Sequence, residues 1–357
     1  MKSDSPVVVD VRAIDVGHFS TKLTLGRKTI YDNSIPVATS IFPSLAPAVV
    51  SMPASGPLSG KPDGCVVNVG GAQYFVGKDV ILHCSGREPR EVLDNYSRSE
   101  KYMALIHGAF HYMFSDAGAS TELVIKHLVL GLPLNTFAAN RDALQKRATG
   151  EHHLPHPTLP NSFRLVTVEN CTVIVQPQGA LMNYGSGHRS VSEGWSIVID
   201  AGGGTLDWFV AKGRQPNWNR SGAYPKSMLA CAHAVADRIN PGWRDNFEIL
   251  ERIDIANRQK AATFKTGGHI YEMAPYAAHI EAVLRESTDK LMARVGSLDN
   301  LDLMIFTGGG AGVYFDYFLE NFPMYKHNMV IDEDPVTSNV RGFQLAGEML
   351  STVLNEK

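Results

Sequence analysis

The stretch Ile197-Val198-Ile199-Asp200-Ala201-Gly202-Gly203-Gly204-Thr205-Leu206-Asp207-Trp208-Phe209-Val210 constrains this chain most. An apolar run of β-formers meets an acidic residue, three glycines follow, and a second acidic residue opens another apolar run. That pattern predicts a strand, a tight turn and a strand. Three successive residues without a Cβ give the backbone positive-φ freedom and let main-chain N–H groups close on an anion such as a nucleotide phosphate. Asp200, at the strand end, would face that phosphate, which requires a cation such as Mg²⁺ between them. Taken alone, the same residues also make an ordinary glycine-rich hairpin.

Two other segments share the design. Val7 to Ile14 runs apolar to Asp15, and Val16-Gly17-His18-Phe19-Ser20-Thr21-Lys22 leads into Leu23-Thr24-Leu25. This is again strand, turn and strand with an acid at the first strand end. Gly17 permits close approach, Ser20 and Thr21 offer hydroxyls, and Lys22 brings a positive charge to the same anion. Farther on, Leu303 to Phe306 runs through Thr307 into Gly308-Gly309-Gly310-Ala311-Gly312 and an amphipathic stretch from Val313 to Leu319. Those glycines lie at a strand-to-helix junction, where a nucleotide can rest on bare backbone and a helix N-terminus.

Between these segments the periodicity predicts helices over 100–114 and 136–149 and strands over 123–130, 166–168 and 172–175. A short helix follows from Gln176-Pro177 to Gly185, with Pro177 at its start and Gly185 as C-cap. Gln176 sits at its N-terminal edge, placed either to hold a water beside a phosphate or to cap the helix. Pro36 to Asp63, rich in Pro, Ser, Ala and Gly, predicts an irregular segment, and Cys65 to Gly77 a hairpin; together they suggest a small surface subdomain. His152, His153 and His156 are interleaved with Pro155, Pro157 and Pro160 and lack an acidic partner at ligand spacing, so they read as an exposed loop rather than a metal site. Later helices are expected over 227–239, 246–260, 275–295 and from Asn339 onward.

At 357 residues the chain exceeds one ordinary compact core and fits two domains. With 44% hydrophobic residues, 19% charged residues and a net charge of −3, it reads as soluble and globular, with no basic patch for nucleic acid. No apolar run reaches spanning length, and the N-terminus, with Asp4 and Asp10, lacks a signal-peptide core. The expectation is a cytoplasmic protein that contacts neither membrane nor nucleic acid directly. Cys65, Cys84, Cys171 and Cys231 form no CxxC pair and read as reduced thiols.

Neither a Rossmann fingerprint nor a Walker loop is present. The order of two acidic hairpins and a later GGG turn instead resembles the actin, heat-shock chaperone and sugar kinase superfamily. Asp15 to Lys22 looks like its first phosphate loop, Gln176 to Gly185 its first connecting helix, and Asp200 to Asp207 its second phosphate loop. Gly308 to Ala311 is similar to the adenosine loop and Asn339 to Gly342 to the second connecting helix. The spacings, with Phe42-Pro43-Ser44, Tyr74-Phe75-Val76-Gly77, Gly131-Leu132-Pro133 and Arg341-Gly342-Phe343, most resemble the ParM/StbA branch of actin-like ATPases, whose plasmid-encoded members polymerise with ATP and segregate DNA.

The resemblance implies an α/β, two-lobed actin-like ATPase fold of duplicated ribonuclease H-like domains with nucleotide in the interlobe cleft. Residues 1–190 would form the first lobe, with an inserted subdomain over about 36–85. Residues 191–338 would form the second, and 339–357 a C-terminal helix packing back on the first. ATP or ADP and Mg²⁺ are the implied ligands. Asp15 and Asp200 would hold the metal through water. Lys22 and the backbone of Gly17, His18, Phe19, Ser20 and Thr21 would take the phosphates from one side, and Gly202, Gly203, Gly204 and Thr205 from the other. Gln176 would orient the attacking water, because an amide is no base. Gly308, Gly309, Gly310 and Ala311 would cover the nucleoside. Lys260 stands as a purine-side contact of the second lobe or as a solvated helix charge. The implied partners are further copies in a head-to-tail filament, with Pro36 to Asp63 and its Ile41, Phe42, Leu45, Val49 and Val50 as a longitudinal contact or a loop folded on its own subdomain. A DNA-binding adaptor protein would link filament to cargo. The alternatives are a non-polymerising nucleotide-dependent module of the same fold and a small-molecule kinase, for which no acceptor motif stands out.

Overall fold

A computed structural model describes residues 5–27, 36–49, 60–89, 92–119, 121–156, 159, 161–188, 191 and 193–355. The chain opens with strands β1 (Val7–Val16), β2 (Ser20–Gly26) and β3 (Ala38–Pro43) and a small hairpin, β4 (Cys65–Val69) and β5 (Ala72–Val76). Helix α1 (Glu100–Asp116), β6 (Glu122–Leu132), α2 (Leu134–Ala148), β7 (Gly150–Pro155), β8 (Phe163–Val175) and α3 (Gln176–Gly187) complete the first half. The second half holds β9 (Trp195–Ala201), β10 (Leu206–Lys212), β11 (Gln215–Pro216), β12 (Gly222–Tyr224), α4 (Met228–Ile239) and α5 (Phe247–Arg258). It continues with β13 (Thr263–Thr266), β14 (His269–Glu272), α6 (Ala277–Val295), β15 (Leu303–Thr307), α7 (Ala311–Asn321), β16 (Met329–Ile331) and α8 (Ser338–Asn355).

Each half carries one main sheet, and the two repeat a topology. The first runs β3-β2-β1-β6-β8-β7 and the second β11-β10-β9-β15-β16, with β12 also on β10. In both, an antiparallel hairpin, β1–β2 or β9–β10, continues into two parallel strands. Parallel strands need crossovers, which α1, α2, α6 and α7 supply. The central strands are buried on both faces, as Ile197 to Ala201 and Leu128 to Leu132 show, and therefore read as continuous apolar runs.

The helices that end the two halves are exchanged between them. Ala180 and Leu181 of α3 pack on Val198, Phe209 and Ile305 of the second sheet. Val340 and Phe343 of α8 pack on Ala13 and Val129 of the first. The two helices cross where neither tolerates a side chain: a Cβ on Gly342 would lie 1.7 Å from the Gly179 carbonyl oxygen, and one on Gly179 would lie 2.5 Å from that of Asn339.

Several expectations are corrected. Positions 166–168 and 172–175 belong to one strand, because β6 pairs with β8 through the exposed Glu169 and Asn170. Pro36 to Asp63 is not irregular throughout: β3 extends the first sheet, with Phe42 and Leu45 buried, the latter against Phe75, Val80 and Phe247. Phe42 is buried within the first half and Leu45 at the contact with Phe247 of the second, so neither side chain is exposed as a filament contact, while Val50 lies outside the described residues. The histidine segment is strand β7, and its alternation turns His152 inward against His107, Nδ1 to Nε2 3.2 Å. No group of three or more metal-binding side chains occurs among the described residues, while Pro157 and Pro160, like Asp4, lie outside them. None of the four cysteines forms a disulfide. No described helix is long and apolar enough to cross a membrane.

Candidate nucleotide site

The two hairpins close with the same turn. Gly17 N–H donates to the Ser20 carbonyl at 3.1 Å, and Gly202 N–H to the Thr205 carbonyl at 3.0 Å. Each turn leaves an acidic residue at the end of its first strand, Asp15 or Asp200, both almost fully buried. Asp15 accepts from the Gln176 amide Nε2 at 2.6 Å and faces Lys22 Nζ at 3.3 Å. Asp200 accepts from Asn339 Nδ2 at 2.7 Å. A carboxylate only accepts, so both amides must present nitrogen to it, which fixes their orientation.

Both hairpins line one cleft. Asp15, Gly17, His18, Phe19, Ser20 and Lys22 face Asp200, Gly202, Gly203, Gly204 and Thr205, with Gln176, Asn339, Gly308 and Gly309 alongside. The glycines of the second turn act through close approach rather than through positive φ, which none of the three adopts. A Cβ on Gly203 would lie 2.4 Å from the Phe19 ring and one on Gly204 2.5 Å from His18 Nδ1, so first-hairpin side chains rest on bare second-hairpin backbone. Positive φ is used at Gly308, at +84°, where a Cβ would lie 2.4 Å from Asp200.

Four expected residues stand elsewhere. Thr21 points beneath the sheet, fully buried, its hydroxyl 2.8 Å from that of Ser44. Gly310 packs under Met228, where a Cβ would meet it at 2.5 Å, and Ala311 is buried in the first turn of α7. Lys260 is exposed, 2.7 Å from Asp316, and does not line the cleft.

The cleft also holds residues to which the sequence reading assigned no role. Asp254 and Arg258, one turn apart on α5 and joined at 2.7 Å, line it from the second half. Their i, i+4 spacing was the available signal. Asn339 repeats Gln176: each stands three residues before the glycine at which the two helices cross, Gly342 or Gly179.

Burial, with Asp207 and then Asp15 adding repulsion against the opposing Asn339 hydrogen bond, pushes Asp200 up to about 7. Burial raises Asp207 to about 6 against the Thr205 side chain and the Leu134 N–H, which donates at 2.9 Å. Asp254 is likewise raised to about 6 by burial, with Arg258 opposing. The second-half wall of the cleft therefore carries the carboxyls of Asp200 and Asp254, the latter beside Arg258, while Lys22 stands beside Asp15 on the first.

Residues 13–179 match the model for the N-terminal domain of actin-like proteins. The fold is actin-like. No curated protein matches the chain by sequence. Among solved structures, the apo ParM protein of pSK41 is 16% identical, with a TM-score of 0.67, covering 98% of this chain and 99% of that one. Ta0583, an archaeal actin homologue in complex with ADP, is 20% identical, TM-score 0.68, over 96% of this chain and 100% of its own. The ParM of a 15-stranded filament from Clostridium botulinum is 20% identical, TM-score 0.70, over 95% and 99%. The likeness spans both halves of the actin-like fold.

Proposed function

We propose that the chain is an ATPase that binds Mg·ATP between its halves and assembles head-to-tail into filaments, serving plasmid or other DNA segregation through an adaptor. The observation that carries the reading is the pair of matched turns, one from each sheet, facing across a cleft with a buried acid and a bound amide in each. Residues 1–190 and 191–338 act as the lobes, with 339–357 returning to the first. The ADP complex and the filament among the structural relatives support nucleotide binding and assembly.

The donor set suits Mg²⁺. Asp15 and Asp200 offer hard carboxylate oxygens, and the buried Asn339 Oδ1 has no hydrogen-bond partner among the described residues. Bound there, the ion would supply charge neutralisation to the phosphates. Lys22 adds a fixed positive charge on the first side. The Gly17 and Gly202 N–H groups close the turns, which leaves the N–H groups of His18, Phe19 and Ser20 and of Gly203, Gly204 and Thr205 to bind phosphate oxygens from the two sides. Gln176 gives its nitrogen to Asp15, which leaves its amide oxygen to orient a water rather than deprotonate it. Gly308 and Gly309 form the nucleoside floor, and Asp254 with Arg258 replaces Lys260 as the second-half contact.

Phosphate release and light scattering, followed by pelleting, with ATP, ADP and no nucleotide test the reading. Mg²⁺-dependent phosphate release with ATP-dependent scattering is expected. Release without any assembly would remove the filament and leave a nucleotide-dependent module.

A further inference from the structure

Asn339 has two polar ends with different fates. Its Nδ2 donates to Asp200 Oδ2 at 2.7 Å, whereas its Oδ1 is buried with no partner among the described residues. The residue is 6% exposed and lines the nucleotide cleft. A buried amide oxygen left unmatched costs about 1–3 kcal/mol, and in native proteins such an atom commonly marks a water or ion not yet in place. The backbone that carries it is held rigidly, because α8 crosses α3 at Gly342 on Gly179 with no room for a methyl group. Gln176 stands in the equivalent position on α3 and grips Asp15 in the same way.

We propose that Asn339 is a positioning residue for a hydrated divalent cation: its Nδ2 aims Asp200 and its Oδ1 accepts a hydrogen bond from a cation-bound water. The inference rests on reading the cleft as a Mg·nucleotide site. Magnesium retains several of its waters when bound, and those waters are donors, so an unmatched acceptor beside an oriented carboxylate is the complement they need. An apolar residue of similar volume removes both ends at once, while serine keeps a shorter donor and acceptor.

Calorimetric titration of Mn²⁺ into the full chain saturated with ADP, together with ADP titration in EDTA, tests the assignment. Asn339→Leu is expected to weaken Mn²⁺ binding by about 10–100-fold, as loss of an outer partner of a metal site commonly does, while ADP affinity without metal stays within about threefold. Asn339→Ser is expected to recover part of the Mn²⁺ affinity. A thermal melt of each variant reports folding. A folded Asn339→Leu chain with unchanged Mn²⁺ affinity overturns the proposal. If that variant does not fold, Asn339→Ser decides: wild-type Mn²⁺ affinity supports a retained polar role only when Asn339→Ala, made beside it, is weaker; equal affinity of the two overturns it. Failure of the wild-type chain to bind ADP with Mn²⁺ overturns the nucleotide reading itself, and this arm separates the two failures.

Discussion

Asp15 pairs across its hairpin with Lys22, whereas Asp200, at the same place in the second hairpin, pairs across the ladder with Asp207. The turns match, and the acids are each gripped by an amide from an exchanged helix, yet the first hairpin carries its own cation and the second stacks acid on acid. Asp200 holds its proton more tightly because of burial and then repulsion from Asp207, and Asp207 because of burial, with repulsion from Asp15 adding to it. The difference teaches that the two halves repeat the turn but divide the charge. On the function proposed above, the first half would meet phosphate directly through Lys22 and the second through a divalent ion. Placing lysine in both halves would leave no carboxylate surplus for a metal.

The comparison predicts unequal damage. Asp200→Ala is expected to lower Mg²⁺-dependent phosphate release by about 10³-fold, because several kcal/mol of charge stabilisation act through that acid. Retained turnover would break the division of charge. Gly342→Ala puts a methyl group where the halves interlock, and overpacking there is expected to cost about 3 kcal/mol, read as a lower thermal midpoint. An unchanged midpoint would mean that the exchanged helices do not hold the halves together. Gln176→Ala should lower kcat by about 10²-fold with ADP affinity preserved; loss of ADP binding would instead give Gln176 a structural role through Asp15.

The halves also differ in their buried bases. Burial, with His152 and then Arg147 adding repulsion, lowers His107 from 6.5 to about 3, so the unfolded chain takes up protons that the folded first half refuses. Its contribution to stability is therefore present above pH 6.5 and is lost as pH falls toward 3. Trp195, Trp208, Trp218 and Trp243 all lie in the second half, so their emission reports only that half. Far-ultraviolet circular dichroism is expected to change at a higher pH than tryptophan emission. Coincident transitions would show that the halves unfold as one. The smallest effect is expected at Lys260→Ala, which loses an exposed pair with Asp316 and should leave ADP affinity unchanged.

Much of the cleft was legible because strand-ending acids and glycine runs are local signals. Asp15, Lys22, Asp200 and Gly202 to Thr205 are brought together as the order of motifs implied. Other assignments failed for nonlocal reasons. Thr21 and Lys22 are neighbours, but strand alternation sends Thr21 to the opposite face of the sheet from the cleft. Lys260 carries the right charge on a segment whose previous turn, at Asp254 and Arg258, is the part that reaches the site. His152 seemed exposed because prolines surround it, yet pairing of β7 with β8 buries it.

By itself, the sequence determined the repeated plan: apolar strands ending in Asp15 and Asp200, glycines where backbone must be approached, and Gln176 at the N-terminal edge of a short helix. These follow from local chemistry and periodicity. Only the tertiary structure decided which acid each amide grips, which side of the cleft has the cation, and that α3 and α8 are exchanged. Those depend on contacts between residues 161 positions apart, as in the Gln176–Asp15 hydrogen bond, or 333 apart, as in that of Gln344 with the Val11 carbonyl, and no local pattern records such a distance.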